Sequence, residues 1–358
     1  MLKLTQVSEK FIWGSANTDR VHPPLSWSKV CRPKQAGGLA LRKAKDFNNA
    51  LLSKLGWMII SKKDSEWIKL LKTKYLRGKS FLKTSPSFSD SLLWKGILGA
   101  KNTLQKGVCY LVGSRVSIKI WEDPWIPSIE NFSPCAGGNI NPSLNWVVDL
   151  ITDDRLNWDI NKLNNLFDRS TVQAILKIHL SPTHTQDKII WAPNKSGEFS
   201  VKSAYIQSQM SNLLNIGPLL RKEWKHLWKI KIHERLKLLL WKIAWDILST
   251  RFFLSKRWDI EDKECPFCSA QPETIEHLFF GCSFAIIVWS LSPWPLNLAN
   301  MNALPIQEWI KKIIFPSTFL KVQREDEQKF ILLAAILFDR IWWCRNEIIF
   351  NKKNTKPP

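Results

Sequence analysis

The segment CPFCSAQPETIEHLFFGC constrains this chain more than any other part of it. Cys265, Cys268, His277 and Cys282 are spaced C-x2-C-x8-H-x4-C within it. Cys265 and Cys268 enclose Pro266 in a tight turn that can aim both thiolates at one ion, and the second pair lies on either side of an apolar half-turn. Three thiolates and one imidazole form a closed tetrahedral set with no position left for a catalytic water. The spacing therefore predicts one structural Zn²⁺.

Two alternatives compete with this interpretation. A redox C-x2-C pair normally opens a helix after a strand in a thioredoxin-like unit, and Pro272 and the nearby His277 do not suit that context. A cysteine-rich turn beside a surface histidine, without a metal, would need four well-spaced donors to coincide by chance. The other cysteines stand alone and are expected to be buried free thiols: Cys31, Cys109, Cys135 and Cys344.

The charge balance favours a polyanionic partner. The chain has 358 residues, of which 45% are hydrophobic and 23% charged, so it is globular, and its formal net charge is +21. RNA or DNA is the commonest partner of such a chain, because each phosphate that is neutralised releases counterions. Residues 221–260 carry eleven basic and four acidic side chains. A solvated basic face is the alternative. The predicted phosphate contacts are Lys225, Lys229, Lys231, Arg235, Lys237, Lys242, Arg251, Lys256 and Arg257.

Apolar periodicity predicts a mainly α fold with short β-hairpins and a small structural zinc-binding module. Helices are expected over about 43–57, 235–248 and 325–350. Hairpins are expected over 108–121, across Gly113-Ser114, and over 188–201, with Asn194 to Gly197 as the turn. Residues 131–145 are rich in Asn, Pro, Gly and Ser and are predicted to be a linker.

The sequence predicts neither membrane insertion nor export. The longest uncharged apolar run, FILLAAILF at 330–338, has about half the length that a bilayer requires. Glu9 and Lys10 lie where a secretory signal would be apolar. We therefore expect an intracellular protein, in the nucleus or the cytoplasm. No motif for a small-molecule substrate is evident, because phosphate-binding and dinucleotide glycine loops are absent from the sequence.

Three blocks in fixed order resemble a known family: GEFSVKSAY, IHERLKLLLWKIAWDILST and CPFCSAQPETIEHLFFGCSFAIIVW. They are similar to the zinc-binding region downstream of the reverse transcriptase in plant non-LTR (LINE-type) retrotransposon polyproteins. Four further blocks look like the upstream stretch of those polyproteins: FIWGS, LSWSKVCRPKQAGGLALR, NNALLSKLGW and WEDPWIP. The block WWCRNEIIFNKK looks like the stretch before a ribonuclease H domain. Ala40 stands where members of the family commonly carry Gly.

The resemblance implies a division of the chain into five parts. They are a segment following a reverse transcriptase (1–60), a helix and hairpin region (61–130), a linker and helical connector (131–187), the zinc-binding domain (188–295) and a C-terminal helical region (296–358).

The same resemblance implies an accessory role rather than catalysis. Polymerases of this family hold metal ions with a paired Asp box, and the only Asp pair here, Asp153-Asp154, has a polar context typical of a surface loop. The chain ends before a ribonuclease H domain would begin. We therefore expect no enzyme activity of its own, nucleic-acid binding, and a retroelement reverse transcriptase acting in trans as a further partner. The alternative is a zinc-stabilised protein-interaction scaffold or a non-functional retroelement remnant.

Overall fold

The predicted helical class is confirmed. The computed structural model describes residues 2–13, 23–61, 65–113, 117–134, 144–152, 157–180, 186–209, 217–296 and 304–351, without the side chains of residues 2–6. Its helices are α1 (Leu2–Trp13), α2 (Trp27–Val30), α3 (Ala44–Ile60), α4 (Glu66–Leu71), α5 (Leu92–Gly99), α6 (Lys101–Gln105), α7 (Ile160–Leu166), α8 (Arg169–Ile175), α9 (Val201–Gln209), α10 (Arg221–Lys229), α11 (Glu234–Ala244), α12 (Arg251–Ser255), α13 (Ser283–Ser290), α14 (Ile306–Ile314), α15 (Pro316–Phe319) and α16 (Glu327–Asn351).

Polar side chains set the start of several of these helices. The side chains of Ser91, Asp159 and Thr250 accept hydrogen bonds from backbone N–H groups in the first turns of α5, α7 and α12. Such caps satisfy donors that have no partner inside the helix. His233 does the same for α11 through Nδ1, which accepts from the backbone N–H of Arg235 at 3.2 Å. This histidine therefore has a structural role.

The two predicted hairpins are wrong in their pairing. Each segment supplies one strand, β1 (Val108–Leu111) and β2 (Lys188–Trp191), and the two strands pair with each other in an antiparallel ladder. The predicted turn before Gly197 does form, and Gly197 has a φ of +71°. The second arm of the hairpin expected over 188–201 does not become a strand, because α9 begins at Val201. Most of the predicted linker, and the pair Asp153-Asp154, lie outside the described residues.

The chain divides into two compact units. Unit 1 spans Arg42–Met210, and unit 2 combines Leu2–Leu41 with Ser211–Pro358. In unit 1, one apolar cluster lies where α3 packs on α5 and α9, with Trp94 and Trp191 among its buried members. A second cluster includes Trp125 and Trp158, whose rings stack 5.9 Å apart. The five ranges derived from the resemblance remain predictions.

Unit 2 joins the first forty residues to the C-terminal half through tryptophans. The carbonyl oxygen of Gly37 accepts hydrogen bonds from the indole nitrogens of Trp241 and Trp245, both at 2.8 Å. Gly37 has a φ of +83°, and a Cβ there would lie 2.9 Å from Nε1 of Trp224. Only glycine suits both the backbone conformation and this close approach. The segment around Gly37 is thus a tightly fitted part of unit 2.

Helix α16 contributes one wall of the unit 2 core. Phe330, Ala334, Phe338 and Ile341 are completely or almost completely buried along it. Within the described ranges, no helix combines the length and apolar character needed to cross a bilayer.

Candidate metal centre

The Cys/His loop, defined here as residues 263–282, begins with a narrow turn that carries two cysteines. The backbone N–H of Cys265 donates to the carbonyl of Gln271, and that of Glu273 donates to the carbonyl of Lys263, both at 2.8 Å. Ser269 closes the turn in the left-handed region, with a φ of +48°. This double pairing brings Cys265 and Cys268 to one side of the turn.

The second half of the Cys/His loop is a wide helical turn over His277–Gly281. The backbone N–H of Cys282 donates to the carbonyl of His277 at 2.7 Å, so the turn folds the two residues together. Phe280, inside the turn, stacks on Trp309 with ring centroids 4.0 Å apart. Buried aromatic residues between His277 and Cys282 therefore pack this turn against the core of unit 2, which explains the apolar half-turn in the sequence.

The four predicted ligand side chains converge. Their donor atoms all lie within 4.8 Å of one another. Sγ of Cys265 lies 3.8 Å from Sγ of Cys282, and Sγ of Cys268 lies 3.2 Å from Nε2 of His277. Zn–S bonds of about 2.3 Å at tetrahedral angles separate two sulfurs by about 3.8 Å. The donor set and its spacing therefore fit one zinc ion.

The two buried sulfurs of Cys265 and Cys282 shift each other's pKa in opposite directions. Contact with Cys282, together with burial, raises the pKa of the Cys265 thiol to about 12, whereas the same contact lowers the pKa of Cys282. One sulfur of the pair therefore keeps its proton when no cation is near. Because a coordinating thiol is deprotonated by its metal, a divalent ion would allow both sulfurs to become thiolates.

Two acidic residues in the Cys/His loop connect it to the rest of unit 2. Glu273 is completely buried and pairs with Arg345 of α16, with Oε1 accepting from Nε at 2.6 Å. Oε1 of Glu276 accepts from the backbone N–H of Ile306, at the start of α14. Sequence reasoning missed both contacts, because neither partner lies within the motif.

The predicted phosphate contacts differ in their availability. Lys225, Lys229, Lys231 and Lys256 are exposed. Among the part of the chain that the structure describes, no carboxylate lies within ion-pair distance of any of these four. Lys225, Lys229 and Lys231 can therefore reach a polyanion without breaking an ion pair, whereas Nζ of Lys256 also lies 4.7 Å from the ring centroid of Phe252.

The remaining predicted contacts are either buried or paired with other groups of the chain. Arg235 pairs with Asp339, and Arg251 pairs with Asp262. Lys237 is buried, and its Nζ lies 2.8 Å from Glu234. Lys242 is half-buried, and burial lowers its pKa. Arg257 donates to the carbonyls of residues 23 and 24 at 3.1 Å.

Two cations that the sequence analysis did not select contact tryptophans of the basic segment 221–260. Nζ of Lys34 is 4.7 Å from the ring centroid of Trp228, and Nζ of Lys29 is 5.4 Å from that of Trp245. Both lysines come from the N-terminal segment of unit 2. Local charge density could not select them, because only the fold brings them to Trp228 and Trp245.

Two of the other described cysteines match the expectation of burial, and one does not. Cys31 and Cys109 are buried, and Cys344 is half-buried. Cys135 lies outside the described residues. Burial raises the pKa of Cys109 to about 12, which makes it unreactive at neutral pH.

Comparisons with known proteins agree with this geometry. The family model described as zinc-binding in reverse transcriptase matches residues 199–289, which include all four donors. An Arabidopsis thaliana protein named "Putative ribonuclease H protein" is 29% identical over 295 residues, covering 80% of this chain and 47% of that protein. The chain thus spans about half the length of this relative.

A second relative matches the chain over a shorter stretch. It is the "Uncharacterized mitochondrial protein" of Arabidopsis thaliana, 31% identical over 125 residues, which cover 35% of this chain and 81% of the relative. Together with the family model, these matches agree with the resemblance found in the sequence. The chain belongs to the plant retrotransposon family whose proteins carry the zinc-binding region of reverse transcriptase.

Proposed function

We propose that the chain binds one structural zinc ion through Cys265, Cys268, His277 and Cys282 and serves as a nucleic-acid-binding accessory region of a retroelement reverse transcriptase. The observation that carries the zinc site is the convergence of four soft donors within 4.8 Å. Zinc bound there would cross-link the two turns of the Cys/His loop, which is short and has little core of its own. Such binding contributes on the order of 10 kcal/mol to folding.

Metal content per chain tests the zinc site directly. We expect about one zinc per chain in protein purified without added metal, as the closed four-donor set implies. A double variant, Cys265→Ser with Cys268→Ser, should hold none. Cys344→Ser is the matched control, because it removes a half-buried thiol outside the set and should keep the zinc. A folded parent without zinc, under metal-replete growth, would contradict the proposal.

The nucleic-acid role is supported by the net charge of +21 and by the exposed lysines of α10 and the turn after it. Lys225, Lys229 and Lys231 face solvent on one short stretch, and Lys29 and Lys34 lie on neighbouring aromatic rings. Phosphate neutralisation by such side chains gives a binding constant that falls steeply with salt. We therefore assign the primary phosphate contacts to these five lysines.

Salt dependence of binding tests this assignment. The logarithm of the binding constant falls linearly with the logarithm of the salt concentration. Replacing Lys225, Lys229 and Lys231 by Ser should make this negative slope shallower by about 2 to 3, since each lost phosphate contact reduces its magnitude by about 0.7 to 0.9. The control replaces three exposed lysines of unit 1, Lys79, Lys177 and Lys195. The binding constants of both triple variants are measured at several salt concentrations by titration with single-stranded RNA and with duplex DNA. Equal slopes for the two triple variants would refute the patch.

We further propose that the chain has no polymerase or nuclease activity of its own and acts with a reverse transcriptase in trans. The sequence supports this, because its only Asp pair, Asp153-Asp154, has a polar context typical of a surface loop rather than of a metal-binding Asp box. Primer-extension and RNA-cleavage assays of the isolated chain should show no product above a buffer control. Product above the buffer control that rises in proportion to the amount of purified chain would overturn the proposal.

A further inference from the structure

A buried ion pair links the Cys/His loop to the C-terminal helix. Glu273 lies between Cys268 and His277, and Arg345 lies on α16, beyond the residues that match the family model. Nε and Nη2 of Arg345 donate to the two carboxylate oxygens of Glu273 at 2.6 and 2.8 Å. The backbone N–H of Arg251 donates to Oε2 as well. The carboxylate thus receives three charge-assisted or backbone hydrogen bonds.

Arg345 is equally well satisfied. It is 3% exposed, and its Nη2 also donates to the carbonyl of Ser249 at 3.0 Å. Its Nη1 donates to Oδ1 of Asn346 at 3.0 Å, and its guanidinium lies 4.8 Å from the ring centroid of Trp342. One side chain therefore ties together the Cys/His loop, the turn between α11 and α12, and α16.

The position of Glu273 in the Cys/His loop makes this contact matter for the metal donors. On its N-terminal side, its own N–H closes the turn that carries Cys265 and Cys268. On its C-terminal side, Oγ1 of Thr274 accepts from the backbone N–H of His277 at 3.1 Å. Glu273 therefore lies at the junction between the two ligand pairs.

We propose that Arg345 is a positioning residue for the metal site, which it serves by holding Glu273 and with it both ligand pairs. The inference rests on the proposed zinc site. Removing one partner of a buried ion pair leaves an uncompensated charge, so the loop would open toward water to solvate it. Zinc binding would then have to close the loop again, which lowers the affinity for the metal. Partners that orient ligands in other metal sites typically cost about 10- to 100-fold in affinity when they are lost.

The test measures metal affinity in the full chain. Zn²⁺ affinity is obtained by competition with a chelator, and the absorption spectrum of the Co²⁺ form reports tetrahedral thiolate coordination. We expect Arg345→Gln and Glu273→Gln each to bind zinc about 10-fold more weakly or worse. Arg345→Lys keeps the charge but loses the planar fork, so its loss should be smaller. The double variant should lose no more than either single one, because the two residues act as a unit.

Two controls separate positioning from general damage. Arg340→Gln removes an exposed arginine from the same helix and should leave the affinity unchanged. Gly37→Ala destabilises unit 2 at the tryptophan contacts around Gly37. The inference is overturned if Arg345→Gln keeps the parental affinity, or loses no more than Gly37→Ala. Should Arg345→Gln fail to fold, the same comparison is decided with Arg345→Lys.

The proposed zinc site fails in a different way. A parent chain that binds neither Zn²⁺ nor Co²⁺ overturns the site, and this inference with it. Tight binding by the parent with unchanged variants overturns the inference alone.

Discussion

Unit 1 and unit 2 form their cores by different means. Among the described residues of unit 1 no charged side chain is buried, and indole rings such as Trp94, Trp125 and Trp191 belong to its buried clusters. Unit 2 buries the two proposed metal ligands Cys265 and Cys282 and a full ion pair between Glu273 and Arg345. Burial stabilises an apolar side chain outright, whereas a buried charge or thiolate is stable only with its partner present. The two units should therefore respond to different perturbations.

Chelation should have the largest effect and should act on unit 2 alone. Removing zinc forfeits a contribution on the order of 10 kcal/mol, because the ion would cross-link the two turns of the Cys/His loop. Hydrogen exchange read by mass spectrometry should show residues 263–290 losing protection after treatment with a chelator under reducing conditions. Peptides covering α3 and α9 of unit 1 are the internal control and should be unchanged. An equal loss of protection in both units would contradict a dependence on zinc that is confined to unit 2.

Trp191→Ala should damage unit 1 without affecting zinc. Its ring is completely buried between Trp57 and Phe199, and its Nε1 donates to Oγ of Ser203 at 2.9 Å. Loss of such a side chain costs about 3–5 kcal/mol. Urea unfolding followed by circular dichroism should show the change, with the zinc content still that of the parent. Trp67→Ala is the control, since Trp67 is 36% exposed. A lower zinc content in Trp191→Ala would contradict the expected independence.

Gly37→Ala should destabilise unit 2 by about 2–4 kcal/mol, through a left-handed backbone and overpacking against the tryptophans. Gly78→Ala is a matched control in unit 1. Gly78 has a φ of +85°, similar to the +83° of Gly37, but a Cβ there meets nothing within 4 Å. The control should therefore show only the backbone cost, about 1–2 kcal/mol. Thermal unfolding of both variants measures the difference, and equal shifts would exclude overpacking at Gly37.

Ala40→Gly should have the smallest effect, and it should stabilise unit 2. Ala40 has a φ of +57°, a conformation that costs energy for any residue with a Cβ. The gain is reduced by the greater freedom of glycine in the unfolded chain, so we expect about 0.5–1 kcal/mol. A rise in melting temperature checks it, and a fall would show that the methyl group of Ala40 makes useful contacts. The glycine common in the family at this position thus has a conformational explanation.

Local features of this protein could be predicted from the sequence because they depend on neighbours in the chain. The helix expected at 43–57 is Ala44–Ile60, and the one expected at 325–350 is Glu327–Asn351. Helices follow from apolar periodicity over a few turns. The four metal donors lie within one short segment, so their spacing alone limits how they can meet.

Contacts between distant parts of the chain were decided only by the tertiary structure. The strands β1 and β2 were each expected to pair locally, yet they pair with each other, because strand pairing depends on which edges packing brings together. Lys225 and Lys237 both belong to the basic segment, and the sequence does not distinguish them. In the structure Lys237 is buried and paired with Glu234, whereas Lys225 is exposed to solvent.

In the metal centre, too, some features could be predicted from the sequence and others depend on the tertiary structure. Cys265, Cys268, His277 and Cys282 could be identified from their residue types and spacing, since these are properties of the segment itself. Arg345 and the glycine-tryptophan contact at Gly37 could not, because hydrogen bonds between distant segments leave no periodic pattern in the sequence. The sequence by itself determined which side chains can bind a metal. Tertiary packing decided what holds them, because a buried charge persists only where the fold supplies its partner.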